Sequence, residues 1–248
     1  MKEAVNWKVI AGIALVTVTL FLMTIHFLIF QDSHYLFIYL FADLAFVPVE
    51  VLCVTLIIDR MISAREREER LEKLNMVIGI FFSRAGTPLL TRFARADTCA
   101  GPMKAQVASG TGWTQEKFRV LHEGLGSWEC KVDPVLTDMD SLRQFLMYNE
   151  DFFLRLIENP MVFEHETFTE LLLAVTHLNE ELKARGDFSK LPPSDIAHLT
   201  IDIERTYSRL VPEWLKYMGY MQTHYPYLFS LAMRKNPFDE KANVVVMK

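Results

Sequence analysis

The chain has 248 residues, 51% of them hydrophobic, and a formal net charge of -5. That length holds a membrane anchor plus one domain of ordinary size, and no face or tail is uniformly basic, so no nucleic-acid partner is expected. The three cysteines, Cys53, Cys99 and Cys130, are widely spaced and form no C-x-x-C pair, which argues against a disulfide framework and a zinc site.

Taken from the N-terminus, the first element is the apolar run Val9–Phe30. As a helix it is about 33 Å long, enough to cross a hydrocarbon core of about 30 Å. Lys2 and Lys8 precede it, as in a signal peptide, but the run is too long for a signal h-region and FQDSHY offers no A-x-A-like cleavage site. After the connection QDSHY a second span begins, residues 36–58. The two spans form a transmembrane hairpin, residues 1–58. The connection holds no Lys or Arg, whereas Lys2, Lys8, Arg60, Arg65, Arg67, Arg70 and Lys73 flank the other ends. By the positive-inside rule both termini face the cytoplasm of a multi-pass protein in the cytoplasmic (inner) membrane.

Within the second span, Asp43 and Glu50 each oppose insertion by about 2.5–3.5 kcal/mol near the helix centre. Their spacing of seven places them on one helix face. Pro48 lies between them, Tyr39 and Cys53 extend the same face, and His26 of the first span falls at a similar depth. Two readings compete. The acids either line a proton or cation path, or hold helices together through His26, Tyr39 or a neighbouring chain. Two spans do not enclose a pore, so conduction requires an oligomer.

Residues 59–94 read as a juxtamembrane helical stalk, since no Gly or Pro interrupts Val49–Ile78. Steps of four and three bring Leu71, Leu74, Ile78 and Phe81 into one seam, a coiled-coil stretch for assembly into a homo-oligomer. The polar middle of the seam, Arg60 and Arg67, is poor in core character, and the charge block AREREERLEK also suits a solvated helix with i,i+4 pairs. Residues 95–113, rich in Gly, Ala and Ser, read as a linker or surface loop.

A cytoplasmic α-helical domain then covers residues 114–238, with a tail at 239–248. Thr114 caps a short helix to His122. Asp138 or Asp140 opens a helix to Glu158 that Pro160 stops. Glu164–Arg185 follows with Gly186 as C-cap. Ser194 is the expected N-cap of a helix running through Tyr207 and past Pro212, and YPYLFSLAMRKNPF adds a short apolar helix. No stretch alternates as a half-buried strand does. The fold class is all-α.

Glu166, Glu170, His177 and Glu181 share a helix face. A dinuclear carboxylate bundle needs Glu-x-x-His on two helices. His165 and His177 lack such a Glu, and Asp195 precedes His198 by three only once, so the pattern reads as a solvated face with no metal site. His34, His122 and His224 are scattered. There is no G-x-S-x-G, H-E-x-x-H or phosphate-binding glycine loop, so no catalytic residue and no cofactor is expected. The aromatic ending (Trp214, Tyr217, Tyr220, Tyr225, Tyr227, Phe229, Phe238) reads as packing, or as a surface against the membrane.

EKLNMVIGIFFSRAGTPLL at Glu72–Leu90 and YPYLFSLAMRKNPF at Tyr225–Phe238 resemble blocks of an uncharacterised prokaryotic family of two-span membrane proteins with a helical cytoplasmic domain. The resemblance implies a prokaryotic inner-membrane setting and no activity. The leading expectation is a non-enzymatic oligomeric membrane protein whose cytoplasmic domain serves regulation or binds a cytoplasmic protein partner. The alternative is an oligomeric cation channel or proton-coupled device using Asp43 and Glu50.

Overall fold

The computed structural model describes residues 3–108, 113–125 and 128–245. Among these the chain is all-helical, apart from an isolated antiparallel bridge between Asp97 and Val132. It divides into two units, Met1–Arg67 and Glu68–Lys248.

The first unit holds α1 (Glu3–Phe30) and the first part of α2 (Ser33–Phe81). Gln31 joins them with a left-handed backbone, φ 49°, and its N–H donates to the Phe27 carbonyl at 2.9 Å. The apolar side chains of Val9–Phe30 are uncovered: none is buried within the chain. The same holds from Phe37 to Ile58, where Phe41, Leu44, Phe46, Leu52 and Ile57 are all exposed. Thr17, Thr19 and Thr24 turn their hydroxyls back onto the carbonyls four residues earlier. That arrangement removes a free polar donor from an apolar surface. Pro48 lies inside α2.

In the second unit, Glu68–Phe81 of α2 belongs to the bundle. Leu74, Ile78 and Phe81 are buried, and the helix continues through a π turn, Phe82–Gly86, into α3 (Thr87–Ala96). In that turn the Thr87 N–H donates to the Phe82 carbonyl. Gly86 is required there, because a Cβ would sit 2.6 Å from the Phe82 ring and 2.8 Å from the Phe81 ring. The segment expected as a linker is structured where it is described. It carries α4 (Gly101–Ala108), and Thr98 N–H donates to the Lys131 carbonyl while Asp133 N–H donates to that of Ala96, both at 2.9 Å.

The remaining helices are α5 (Gln115–Gly124), α6 (Met139–Tyr148), α7 (Glu150–Ile157), α8 (Pro160–Phe163), α9 (Glu166–Lys183), α10 (Pro193–His224) and α11 (Pro226–Met233). Thr114 and Asp138 are the N-caps, accepting from the N–H groups of Lys117 and Ser141. The helix expected to run unbroken to Glu158 divides at Asn149. That buried amide donates to the Phe145 carbonyl at 2.9 Å and accepts from Arg84 Nε at 3.1 Å, so the break satisfies a polar group in the core. Two expected helix starts differ. α9 begins at Glu166, not Glu164, with His165 as N-cap, its Nδ1 accepting from Phe168 N–H at 3.2 Å, and it ends at Lys183 with Ala184, not Gly186, as C-cap. Pro192, not Ser194, caps α10: Pro193 at the first position has no N–H to satisfy.

The core is built on α9 and α10. Phe168, Leu171, Leu172, Val175, Leu178 and Leu182 face Leu199, Ile203, Tyr207, Leu210, Trp214 and Met218, all buried. Both sets follow three- and four-residue steps, the apolar stripe of an amphipathic helix. Cross-links run Arg185 to Asp195, Glu181 to His198, His177 to Asp202 and Arg209 to Glu170. As one number falls the other rises, which makes the pair antiparallel. The aromatic ending divides: Trp214 packs on Phe238 at 5.3 Å and Tyr217 stacks on Phe82 at 5.2 Å, whereas Tyr227 is exposed.

Candidate functional site

In the first unit, Asp43 and Glu50 are exposed, and among the described residues neither carboxylate has a hydrogen bond or ion pair. No bond or ring contact joins them to His26 or Tyr39. His26 is half-buried against the Phe30 ring at 4.8 Å, with its Nδ1 unbonded, and Tyr39 is exposed. The two acids therefore find no partner among the described residues.

The assembly seam is placed differently from expectation. Phe81 is 0% exposed, meeting Phe82 and Phe168 edge-on at 5.2 and 5.3 Å. Leu74 and Ile78 are buried with it, and Leu71 alone of the four is 47% exposed. The periodicity was that of a bundle helix: the same three- and four-residue steps fit a helix packed on its own chain.

The densest constellation of titratable groups lies along the polar edge of α9 and α10. The i,i+4 pair His177 and Glu181 projects from α9, and the i,i+4 pair His198 and Asp202 projects from α10. His177 Nε2 is 3.6 Å from Asp202 Oδ2 and 3.9 Å from Glu181 Oε1. His198 Nε2 is 3.6 Å from the same Asp202 oxygen and 3.5 Å from Glu181 Oε2. Donor atoms of His177, Glu181 and Asp202 all lie within 4.8 Å of one another.

Two arginines fix the carboxylates from behind. Arg185 donates to Glu181 Oε2 at 2.6 Å and clamps both oxygens of Asp195 at 2.7 Å. Arg205 donates to Asp202 Oδ1 at 2.5 Å. The Arg185 guanidinium holds the carboxyls of Glu181 and Asp195 below their usual range, chiefly through these hydrogen bonds. Asp202 is 1% exposed, and its Oδ2 has no hydrogen bond at all. Both imidazoles are about half exposed. The result is a buried acceptor oxygen flanked by two solvent-reachable nitrogens.

Of these residues, His177 and Glu181 stood out in the sequence as part of a polar face. His198 and Asp202 were missed as their partners. The signal is His-x-x-x-Glu followed by His-x-x-x-Asp on the next helix, an i,i+4 spacing that a search for i,i+3 ligand pairs passes over. Glu166 and Glu170 stay outside the cluster, Glu166 exposed and Glu170 paired with Arg209.

An open groove of about 420 Å³ lies between α5 and α10 and is lined by Gln115, Phe118, His122 and Tyr220 among others. Gln115 Nε2 donates to the Gly219 carbonyl and to Thr223 Oγ1 across it. These contacts bind α5 to α10 and leave no nucleophile–base pair in the groove.

The fold is thus an all-helical protein in two parts, and comparison with known proteins finds the same division. Residues 2–62 match the family described as "MJ1433, N-terminal helical domain" and residues 70–234 the one described as "Uncharacterized protein MJ1433, C-terminal helical domain". The chain belongs to this family. It is 41% identical over 240 residues to the "Uncharacterized protein MJ1433" of Methanocaldococcus jannaschii, covering 97% of this chain and 96% of that one. No solved structure matches the chain.

Proposed function

We propose that this is a non-enzymatic, oligomeric protein of the cytoplasmic membrane, anchored by a two-helix hairpin and presenting its helical domain in the cytoplasm for regulation or partner binding. The observation that carries the reading is the contrast in coverage. The second unit closes a dense apolar core, while the apolar lengths of Val9–Phe30 and Phe37–Ile58 find no cover among the described residues. Such a surface is costly in water, at roughly 25 cal/mol per Å² of apolar area left exposed, and lipid removes that cost. Basic residues flanking the spans favour cytoplasmic termini.

Self-association is assigned to the membrane helices rather than to Leu74, Ile78 and Phe81, which the bundle uses. Asp43 and Glu50 lack partners among the described residues, and a neighbouring chain supplies them in an oligomer. Membrane fractionation followed by light scattering of the detergent-solubilised protein tests the reading. A defined oligomer that resists carbonate extraction is expected; a soluble protein, or a monomer at every concentration, contradicts it.

The same unpaired carboxylates favour the second reading, an oligomeric cation- or proton-conducting device. Reconstituted liposomes separate the two. Flux that Asp43→Asn or Glu50→Gln abolishes supports conduction, and flux no greater than that of empty liposomes removes it.

A further inference from the structure

We propose that His177, Glu181 and Asp202, with His198 at the edge of the same cluster, form a binding site for one divalent transition-metal ion, of the zinc class, that staples α9 to α10. The separations carry the argument. Hydrogen bonds between imidazole and carboxylate span about 2.7–3.2 Å, and the four observed N···O distances, 3.5, 3.6, 3.6 and 3.9 Å, all exceed that. An ion bound tetrahedrally at about 2.0–2.1 Å has ligand-to-ligand edges of about 3.3–3.4 Å. The His177–Asp202 and His177–Glu181 separations, 3.6 and 3.9 Å, stand a few tenths of an ångström outside that figure, a gap that small torsions of a half-exposed imidazole close. His198 lies nearest the other Glu181 oxygen and outside the set of donors within 4.8 Å of one another, so its ring must turn to become a fourth ligand, and water otherwise completes the shell.

Charge and satisfaction point the same way. Asp202 is buried, and its Oδ2 is without a hydrogen bond. A buried carboxylate oxygen left so is costly, and a cation placed between it and the two histidines removes that cost. The facing charges are Glu181, Asp195 and Asp202 against Arg185 and Arg205, so with both histidines neutral the cluster carries one net negative charge. Arg205 occupies Asp202 Oδ1 and leaves Oδ2 turned toward both imidazoles, and Arg185 occupies Glu181 Oε2, the oxygen nearest His198, and leaves Oε1 toward His177. This outer set fixes the ligands as second-layer partners do in metal sites. Two imidazoles with two carboxylates suit zinc, cobalt or nickel and disfavour magnesium and calcium, which take all-oxygen shells.

The site goes beyond the membrane reading and does not depend on it. It links two helices already packed in the core, so an ion there adds to the stability of the bundle by binding the folded state.

The test uses the full-length chain in detergent, without a polyhistidine tag, titrated with Zn2+ and with Co2+. The expected result is one equivalent per chain, the intense visible absorption of four-coordinate cobalt, and a rise in melting temperature on zinc addition that magnesium does not reproduce. His177→Gln and His198→Gln keep their helices, being half-exposed; the first is expected to weaken zinc binding by more than the about 10–100-fold typical of outer-layer losses, and the second by no more than that. Asp202→Asn is expected to abolish the cobalt spectrum, with far-UV circular dichroism reporting whether it still folds. His122→Gln, on α5, leaves binding unchanged. Substoichiometric binding, an octahedral cobalt spectrum, or wild-type affinity in His177→Gln would overturn the proposal.

Discussion

Replacing Phe81 with alanine distinguishes a bundle helix from an assembly seam. Phe81 is fully buried and makes edge-on contacts with Phe82 and Phe168, with Phe153 at 6.5 Å. Phe→Ala in a core of this kind costs about 3–5 kcal/mol, the lost transfer energy plus the cavity left behind. For a domain of this size each kcal/mol lowers the melting temperature by about 2–4 °C, giving a fall of about 6–20 °C. Leu71→Ala, on the half-exposed side of the same helix, is expected to stay within about 0.5 kcal/mol of wild type. Both variants are measured as full chains in detergent. Near-UV circular dichroism reports Trp214 and its neighbours in the second unit, and light scattering follows oligomer size in parallel. An unchanged melting temperature for Phe81→Ala together with dissociation of the oligomer would refute the placement of this helix.

Two further predictions rest on buried polar groups. Glu213 is buried and accepts from Lys216 Nζ and Thr167 Oγ1, both at 2.7 Å. Lys216→Met leaves that carboxylate with one neutral donor and is expected to destabilise by about 1–3 kcal/mol in urea titrations, with Glu213→Leu in the same chain restoring part of the loss; no recovery would show that packing, not charge, sets the cost. Burial, then Asp97 and Glu204, push the Cys130 thiol up, and burial, then Asp97, push the Tyr207 phenol up. Groups with raised folded values contribute stability that is complete below the ordinary values of about 8.5 and 10 and is lost as pH climbs above them. The denaturation midpoint should therefore fall in alkali, and Cys130 should alkylate more slowly than exposed Cys99 at pH ~8; equal rates would contradict the burial.

Periodicity made the helices of the second unit legible. The leucine steps of α9 and α10 are read as easily in sequence as in space, and Thr114 and Asp138 announce their caps. What periodicity does not specify is the partner. Leu74, Ile78 and Phe81 carry a pattern that suits a second copy or the chain's own core equally well, and only the positions of Phe153 and Phe168 decide between them. The break at Asn149 depends on Arg84, far off in sequence, so no local signal marks it. The candidate site was half visible. His177 and Glu181 share a face within one helix, but pairing them with His198 and Asp202 requires the antiparallel register of α9 and α10.

The proposed topology, two membrane crossings with both ends on the cytoplasmic side, is tested most directly by cysteine accessibility. A single cysteine placed in the connection, His34→Cys with Cys53, Cys99 and Cys130 replaced by serine, is compared with a chain retaining only Cys99. Both are expressed in bacterial spheroplasts and treated with a membrane-impermeant maleimide before and after lysis. The account predicts that the cysteine at position 34 labels in intact cells and that Cys99 labels only after lysis. Labelling of Cys99 in intact cells, or recovery of either protein in the soluble fraction, would contradict it.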